Sequence, residues 1–323
     1  MTVQQDAIWT LLLPDSTLGP GASGWPRRWG LSRVMDRGRF RRLELDGVHD
    51  VIGWAVTGHV ASSATWAPAP VCWGADFDSD PPLGVIRIDP VHLAPGPRGL
   101  TLVPPEQLEI NPAESGRLLD AVANALCQRA TAVKAATPTR WYMSLAGALD
   151  FCWKTPREVS RRNVLDCLPT EESAAELRHL LNEIQIVLHH QPDNAVRREQ
   201  GRPEINSVWP WGWADRPVSR VGSVVACVHA EHPYARGLAR LAGVPVLEPV
   251  PDGREISGSG LVIPAAVHAR DADWVESRWC RPLYRALAKG RISKLRLLTE
   301  SGLLVEMDTK DRRRFWRRSG RRK

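Results

Sequence analysis

HHQPDNAVRREQGRPEINSVWPWGW, residues 189–213, is the stretch whose reading decides the fold. It follows the longest helical pattern in the chain. Leu177, Leu180, Leu181, Ile184, Val187 and Leu188 fall on one face, and Glu171 and Glu172 suit the positive end of the dipole. That spacing predicts a helix from about Glu171 to His190. Beyond it, His190, Asn194, Arg197, Arg198, Arg202 and Asn206 form a dense donor set suited to a phosphate or carboxylate. Trp209, Trp211 and Trp213 add apolar surface, and Gly212 permits close backbone approach. On composition alone, a solvated arginine loop leading into a tryptophan-rich core strand explains the same residues equally well.

Upstream, the apolar run Ile8–Leu13 ends at Pro14-Asp15 and predicts a buried strand. A weak helical pattern covers Leu31 to Leu45, and Ala61 to Pro82 reads as a long irregular segment whose acidic run Asp76–Asp80 is solvated. Val85–Asp89 predicts a strand with a turn at Pro90–Leu93, and Leu100–Val103 and Arg140–Leu145 predict two more. Asn111-Pro112 opens a helix, because Asn is a favoured N-cap and Pro suits the first helical position. Downstream, strands at Val224–Val228, Val244–Leu247 and Leu261–Ile263 alternate with helices from Tyr234 to Leu241 and from Asp271 to Ala288. Lys294–Thr299 and Leu303–Met307 flank Glu300-Ser301-Gly302 as a hairpin. The alternation of strand and helix predicts an α/β protein with a mostly parallel sheet.

At 323 residues the chain is long enough for one large domain or two ordinary ones. No run approaches the ~20 apolar residues of a membrane span, and Ile8–Leu13 lacks the basic flank of a signal peptide. A cytoplasmic protein with no membrane partner is expected. The six cysteines, Cys72, Cys127, Cys152, Cys167, Cys227 and Cys280, include no Cys-x-x-Cys pair, which argues against a zinc site or a disulfide framework. The net charge of +7 belongs to the tail: residues 310–323 carry nine basic side chains and one acid, leaving 34 basic and 35 acidic residues elsewhere. Arginines beside Phe315 and Trp316 would suit nucleic acid; docking of the two aromatics on the body is the alternative.

The pattern His190, Asn194, Arg198, Gly201, Pro203, Asn206, Trp209, Trp211, Gly212 is similar to one in the archaeal-type cofactor-independent phosphoglycerate mutases. A fuller resemblance runs to the bacterial RpfE-type regulatory proteins. It is carried by Arg87-x-Asp89-Pro90-Val91-His92-Leu93, Arg140-Trp141-Tyr142, the 189–213 stretch and Arg314–Arg318. It implies a reduced alkaline-phosphatase-like core with an inserted α+β portion. The expected division is 1–104 and 221–308 for the core, 105–220 for the insertion and 309–323 for a basic tail.

The mutase resemblance also implies a serine nucleophile and two divalent metals such as manganese, held by Asp and His. Only Asp15 stands where the first ligand is expected, with Ser16 beside it as the catalytic candidate. The late Asp-x-x-x-His motif is replaced by Ala265-Ala266-Val267-His268-Ala269-Arg270-Asp271, and no Gly-Asp-His occurs. His229-Ala230-Glu231-His232 matches neither HExxH nor HxxEH, and no Pro-Cys-x-x-Cys follows to suggest a zinc deaminase. Gly253–Gly260 lacks the Lys-Ser/Thr of a phosphate-binding loop. Asp89 and His92 are candidates for a carboxylate–imidazole pair across a turn. The reading that follows is a catalytically degenerate, phosphoglycerate-mutase-like protein without a cofactor. Its role would be regulatory or anion-binding, its partners a small phosphorylated or carboxylate ligand or another protein. An active mutase and a nucleic-acid-binding regulator acting through the tail are the alternatives.

Overall fold

The computed structural model describes residues 7–15, 29–59, 66–96, 99–145, 154–168, 175–215, 220–247, 256, 258–265 and 271–313. The chain divides into two compact units, Met1–Trp66 with Ser219–Lys323, and Ala67–Val218.

The first unit is built on a six-stranded sheet. Its strands are β1 (Ile8–Leu13), β2 (Arg39–Arg42), β8 (Cys227–Ala230), β9 (Gly260–Ile263), β10 (Lys294–Thr299) and β11 (Leu303–Asp308). Their order is β2-β11-β10-β1-β9-β8. The neighbours β10-β1, β1-β9 and β9-β8 are parallel, while β11 and β2 are antiparallel additions. The almost wholly apolar sequence of β1, broken only by buried Thr10, fits its central place, since a parallel strand covered on both faces has no side that must be polar. Trp9, Leu11 and Leu13 share a buried cluster with Leu31 and Val34 of helix α1 (Trp29–Arg37) and Leu283 and Leu287 of helix α10 (Arg281–Ala288).

Helix α10 continues from a short helix, α9 (Ala272–Val275), through the π-turn Glu276–Cys280. Asp271 caps this run as expected, its Oδ1 accepting from the Asp273 and Trp274 amides at 2.9 and 3.1 Å. In the π-turn, the buried Glu276 carboxylate accepts from the Gly30 and Leu31 amides at 2.7 and 2.9 Å. It thereby satisfies donors that the first turn of α1 cannot pair internally. Helix α2 (Val48–Thr57) packs with helix α8 (Pro233–Ala242), which ends at Gly243 in the left-handed conformation.

The second unit is an antiparallel sheet centred on β3 (Val85–Gly96). Strand β3 pairs with β4 (Gly99–Val103), β6 (Arg140–Leu145) and β7 (Ser207–Ala214), and β5 (Ala130–Thr137) pairs with β6. Helices α4 (Pro112–Ala125) and α6 (Ala175–His189) place Leu118, Val122, Leu177, Leu180, Ile184 and Leu188 in its main core, with Ile86, Ile88, Trp141 and Trp209. Three more helices, α3 (Pro68–Phe77), α5 (Pro156–Val159) and α7 (Pro192–Glu199), each begin with proline. The Asn111 cap is a full capping box with Glu114.

Several expectations change. A boundary at 104/105 would separate β3 from its partners β6 and β7, whereas the second compact unit begins at Ala67. Where 61–82 was expected to be irregular, the described part contains α3; Pro68 sits at its first turn, where a missing N–H costs nothing. Strand β3 does not turn at Pro90, which lies opposite Val208 in the ladder, because proline's φ is compatible with extended backbone. Within Leu31–Leu45 a helix gives way to edge strand β2. The Val224–Val228 strand shifts to Cys227–Ala230, and Val244–Leu247 contributes a single parallel bridge, Val246 to Val228. The tail residues 314–323, and with them the Phe315 and Trp316 expectations, lie outside the described residues.

Candidate functional site

The 189–213 donors are brought together, but by the protein's own acceptors. Asn194 is fully buried: its amide donates to the Leu188 and Ile205 carbonyls at 2.8 and 2.9 Å and accepts from the Ile205 amide at 2.8 Å. Arg197 is equally buried. It forms a fork with Glu114, Nη2 to Oε2 being 2.9 Å, and donates to the Leu108 and Pro203 carbonyls at 3.0 and 2.9 Å. Arg198 pairs with Glu204 at 2.9 Å on the surface, and Arg202 donates to the Glu109 carbonyl at 2.6 Å. Asn206 clasps the Leu93 backbone through both its oxygen and its nitrogen, at 2.8 and 2.9 Å. Trp209 Nε1 donates to the Lys154 carbonyl at 2.7 Å, and exposed His190 contacts the Ile186 carbonyl at 2.7 Å. In this structure these side chains act as latches that tie α7 and the following loop to the rest of the unit.

Gly212 has a structural reason as well. Its φ is +69°, and an added Cβ would lie 3.1 Å from the Ala69 nitrogen and from Pro68. Replacing Gly212 with Ala is expected to cost about 1–2 kcal/mol for the left-handed backbone alone, before any shift of α3. Urea unfolding of the variant measures this; an unchanged midpoint would contradict it.

Asp89 and His92 do not pair. An odd separation along β3 places them on opposite faces. His92 Nδ1 contacts the Glu204 carbonyl at 2.8 Å, whereas Asp89 accepts from Arg87 Nε and Nη2 at 2.9 and 2.6–2.7 Å. Two residues earlier on the same face, Arg87 lies with its guanidinium 4.7 Å from the Trp211 ring and 5.3 Å from the Tyr142 ring. Trp211 Nε1 completes the carboxylate's shell at 2.8 Å. Burial opposes the charge on Arg87, but Asp89 and then Tyr142 more than offset it and hold the guanidinium above its ordinary range.

Beside this group, Asp76 accepts from Arg140 Nε and Nη2, both at 2.7 Å, and from the Tyr142 hydroxyl. The carboxylate expected in a solvated acidic run is thus buried, on the last turn of α3. Burial also pushes the nearby Cys72 thiol up to about 12, which makes it an inert thiol rather than a nucleophile. Sequence reading missed Arg87 and Asp76 as partners; the Arg-x-Asp spacing on a strand was the available signal.

In the first unit, β8, β9, β1 and β10 all end at one edge of the sheet, the usual location of ligand sites in α/β proteins. Asp15 follows β1 there, exposed, and its Oδ1 accepts from the Ser301 amide at 3.0 Å. His232 caps α8, its ring 6.0 Å from that of His49. His229 does not join them. Its side chain enters the core, stacked on Trp9 at 5.9 Å and edge-on to Trp279 at 5.2 Å. Ser16 and His268 lie outside the described residues. Among the described residues no three His, Cys, Asp or Glu side chains gather as a metal requires. Asp15, His229 and His232 in these positions do not fit the two-metal centre that the resemblance implies.

Neither His229 ring nitrogen, nor Trp279 Nε1, makes a hydrogen bond of good geometry among the described residues, although the Leu247 backbone lies close enough to the imidazole to favour its protonated form. Such orphaned polar groups cost about 1–3 kcal/mol each. Burial lowers the His229 pKa below its ordinary 6.5, against a smaller opposing pull from the Leu247 backbone. The unfolded chain therefore takes up this proton first as pH falls. The contribution of neutral His229 is full above about pH 6.5 and is lost below it. Thermal unfolding at roughly pH 7.5 and 5 should show a steeper acid loss in the wild type than in His229→Leu. Equal losses would contradict this assignment.

Together the units make a mixed α/β fold. No family model matches the chain. Over 179 residues it is 27% identical to the probable 2,3-bisphosphoglycerate-independent phosphoglycerate mutase of Geobacter sulfurreducens, a match covering 50% of this chain and 42% of that relative. The matched part thus spans less than half of the curated relative's length, and over it the chain is similar to that mutase. Among solved structures, the PH0037 protein from Pyrococcus horikoshii superposes with a TM-score of 0.57 at 12% identity, covering 96% of this chain and 90% of that one. A cofactor-independent phosphoglycerate mutase from Thermoplasma acidophilum gives a TM-score of 0.43 at 15% identity, over 94% and 90% of the two chains. Among the described residues no helix is long and apolar enough to cross a membrane.

Proposed function

We propose that this protein is a phosphoglycerate-mutase-like scaffold that binds an acidic ligand without transferring a phosphoryl group. Its role would be regulatory, as its resemblance to the RpfE-type proteins implies. The observation that carries this reading is the placement of His229. The histidine delivered by a parallel strand is packed between two indoles, and among the described residues no three His, Cys, Asp or Glu side chains gather around it. A two-metal phosphoryl-transfer centre needs several oxygen and imidazole ligands converging on open space.

The test is an assay of the purified chain with manganese for interconversion of 2- and 3-phosphoglycerate. No turnover above the uncatalysed rate is expected. Turnover at ordinary enzyme rates, abolished by replacing Asp15 or Ser16, would establish the active-mutase reading that the 179-residue match favours.

A further inference from the structure

The orphaned polar atoms of the first unit lie together. His229 and Trp279 are both over nine-tenths buried, and their rings meet at an interplanar angle of 62°. The Leu247 backbone lies beside the imidazole, and the other surrounding polar groups are committed elsewhere. Trp9 Nε1 donates to the Gly258 carbonyl at 3.0 Å. Both Glu276 oxygens are held by the start of α1. Thr299, on the same face of the sheet, accepts from the Leu303 amide at 3.1 Å and bonds Ser301. The Cys227 thiol turns to the Ser259 carbonyl at 3.8 Å, and Cys280 is a buried thiol. Val262, beside His229 on β9, is apolar.

An indole N–H can only donate, so its missing partner must carry an acceptor; the same N–H disfavours a bare cation. The imidazole supplies a second N–H, and on protonation a third donor and a positive charge. We propose that His229 and Trp279 form an enclosed site for an anionic oxygen group, the carboxylate or phosphate of a small acidic ligand. Binding the anion opposes the effect of burial and draws a proton onto His229. The inference rests on the binding role proposed above and moves its ligand from the 189–213 segment to the core side of the parallel sheet.

The experiment uses the full chain labelled with nitrogen-15. The Trp279 indole signal is identified by its loss in Trp279→Phe, and the His229 imidazole signals by their loss in His229→Gln. Inorganic phosphate and acetate are titrated separately, with sodium chloride at matched ionic strength as the control. The expected result is a saturating shift of both groups with at least one oxyanion and none with chloride. The apparent affinity, read at His229, should fall roughly tenfold or more in Trp279→Phe, the loss of one well-placed donor. A response to phosphate alone assigns a phosphate ligand, and a response to acetate assigns a carboxylate. No saturating shift with either anion means that solvent alone satisfies these atoms and overturns the site. So does an affinity unchanged in Trp279→Phe. Mutase turnover would instead overturn the non-catalytic reading, so the two failures are distinguishable.

Discussion

Replacing Glu114 with Ala is expected to destabilise the second unit by about 3–5 kcal/mol, the loss typical when one member of a buried ion pair is removed. Arg197 remains behind, almost wholly enclosed, with its charge no longer balanced. The Leu108 and Pro203 carbonyls can each accept one of its hydrogen bonds but cannot neutralise it. The same substitution also removes half of the capping box on α4, worth about 1 kcal/mol more. Whether the pair itself stabilises is a separate matter, because desolvating two charges costs nearly what their attraction returns. A double-mutant cycle separates these effects. Glu114→Leu combined with Arg197→Met should be far less damaging than the two single changes added together, since no bare charge is left. Urea unfolding followed by tryptophan fluorescence measures both. A loss below about 1 kcal/mol in Glu114→Ala would show that Arg197 reaches solvent after all.

What the sequence made legible depended on how local the cause was. Strand β1, the Asn111 cap and the β10–β11 hairpin were readable because their signals lie within a few residues. Helix α3 was not, because Pro68, Pro70 and Gly74 disguise a helix whose burial comes from β3 and β7. For the candidate site the limit was different. A cluster of Asn and Arg side chains looks the same in sequence whether its acceptors come from a ligand or from the backbone. Only the fold shows that Asn194 meets Ile205 and that Arg197 meets Glu114, 83 residues away. His229 was singled out for the company of His232, yet its neighbours are Trp9 and Trp279, far apart in sequence. No spacing rule could have brought those three together.

Asp89→Ala should have an effect of the same order as Glu114→Ala, about 3–5 kcal/mol, and for a compounded reason. Asp89 balances Arg87 and also accepts from Trp211 Nε1, so one substitution leaves a buried cation and a buried indole donor without their acceptor. The two flanking rings soften the loss, because a guanidinium over an aromatic face gains roughly 0.5–2 kcal/mol. That is smaller than the penalty, so destabilisation wins. Asp89→Asn should cost less, since its amide oxygen can still accept from Trp211. Arg87→Lys should not rescue the pairing: an ammonium cannot fork onto a carboxylate or lie flat between Tyr142 and Trp211. Ranked by denaturant midpoint, the order expected is wild type, then Asp89→Asn, then Asp89→Ala. If Asn and Ala prove equally damaging, the carboxylate's charge is what matters, and the Trp211 hydrogen bond adds little to it.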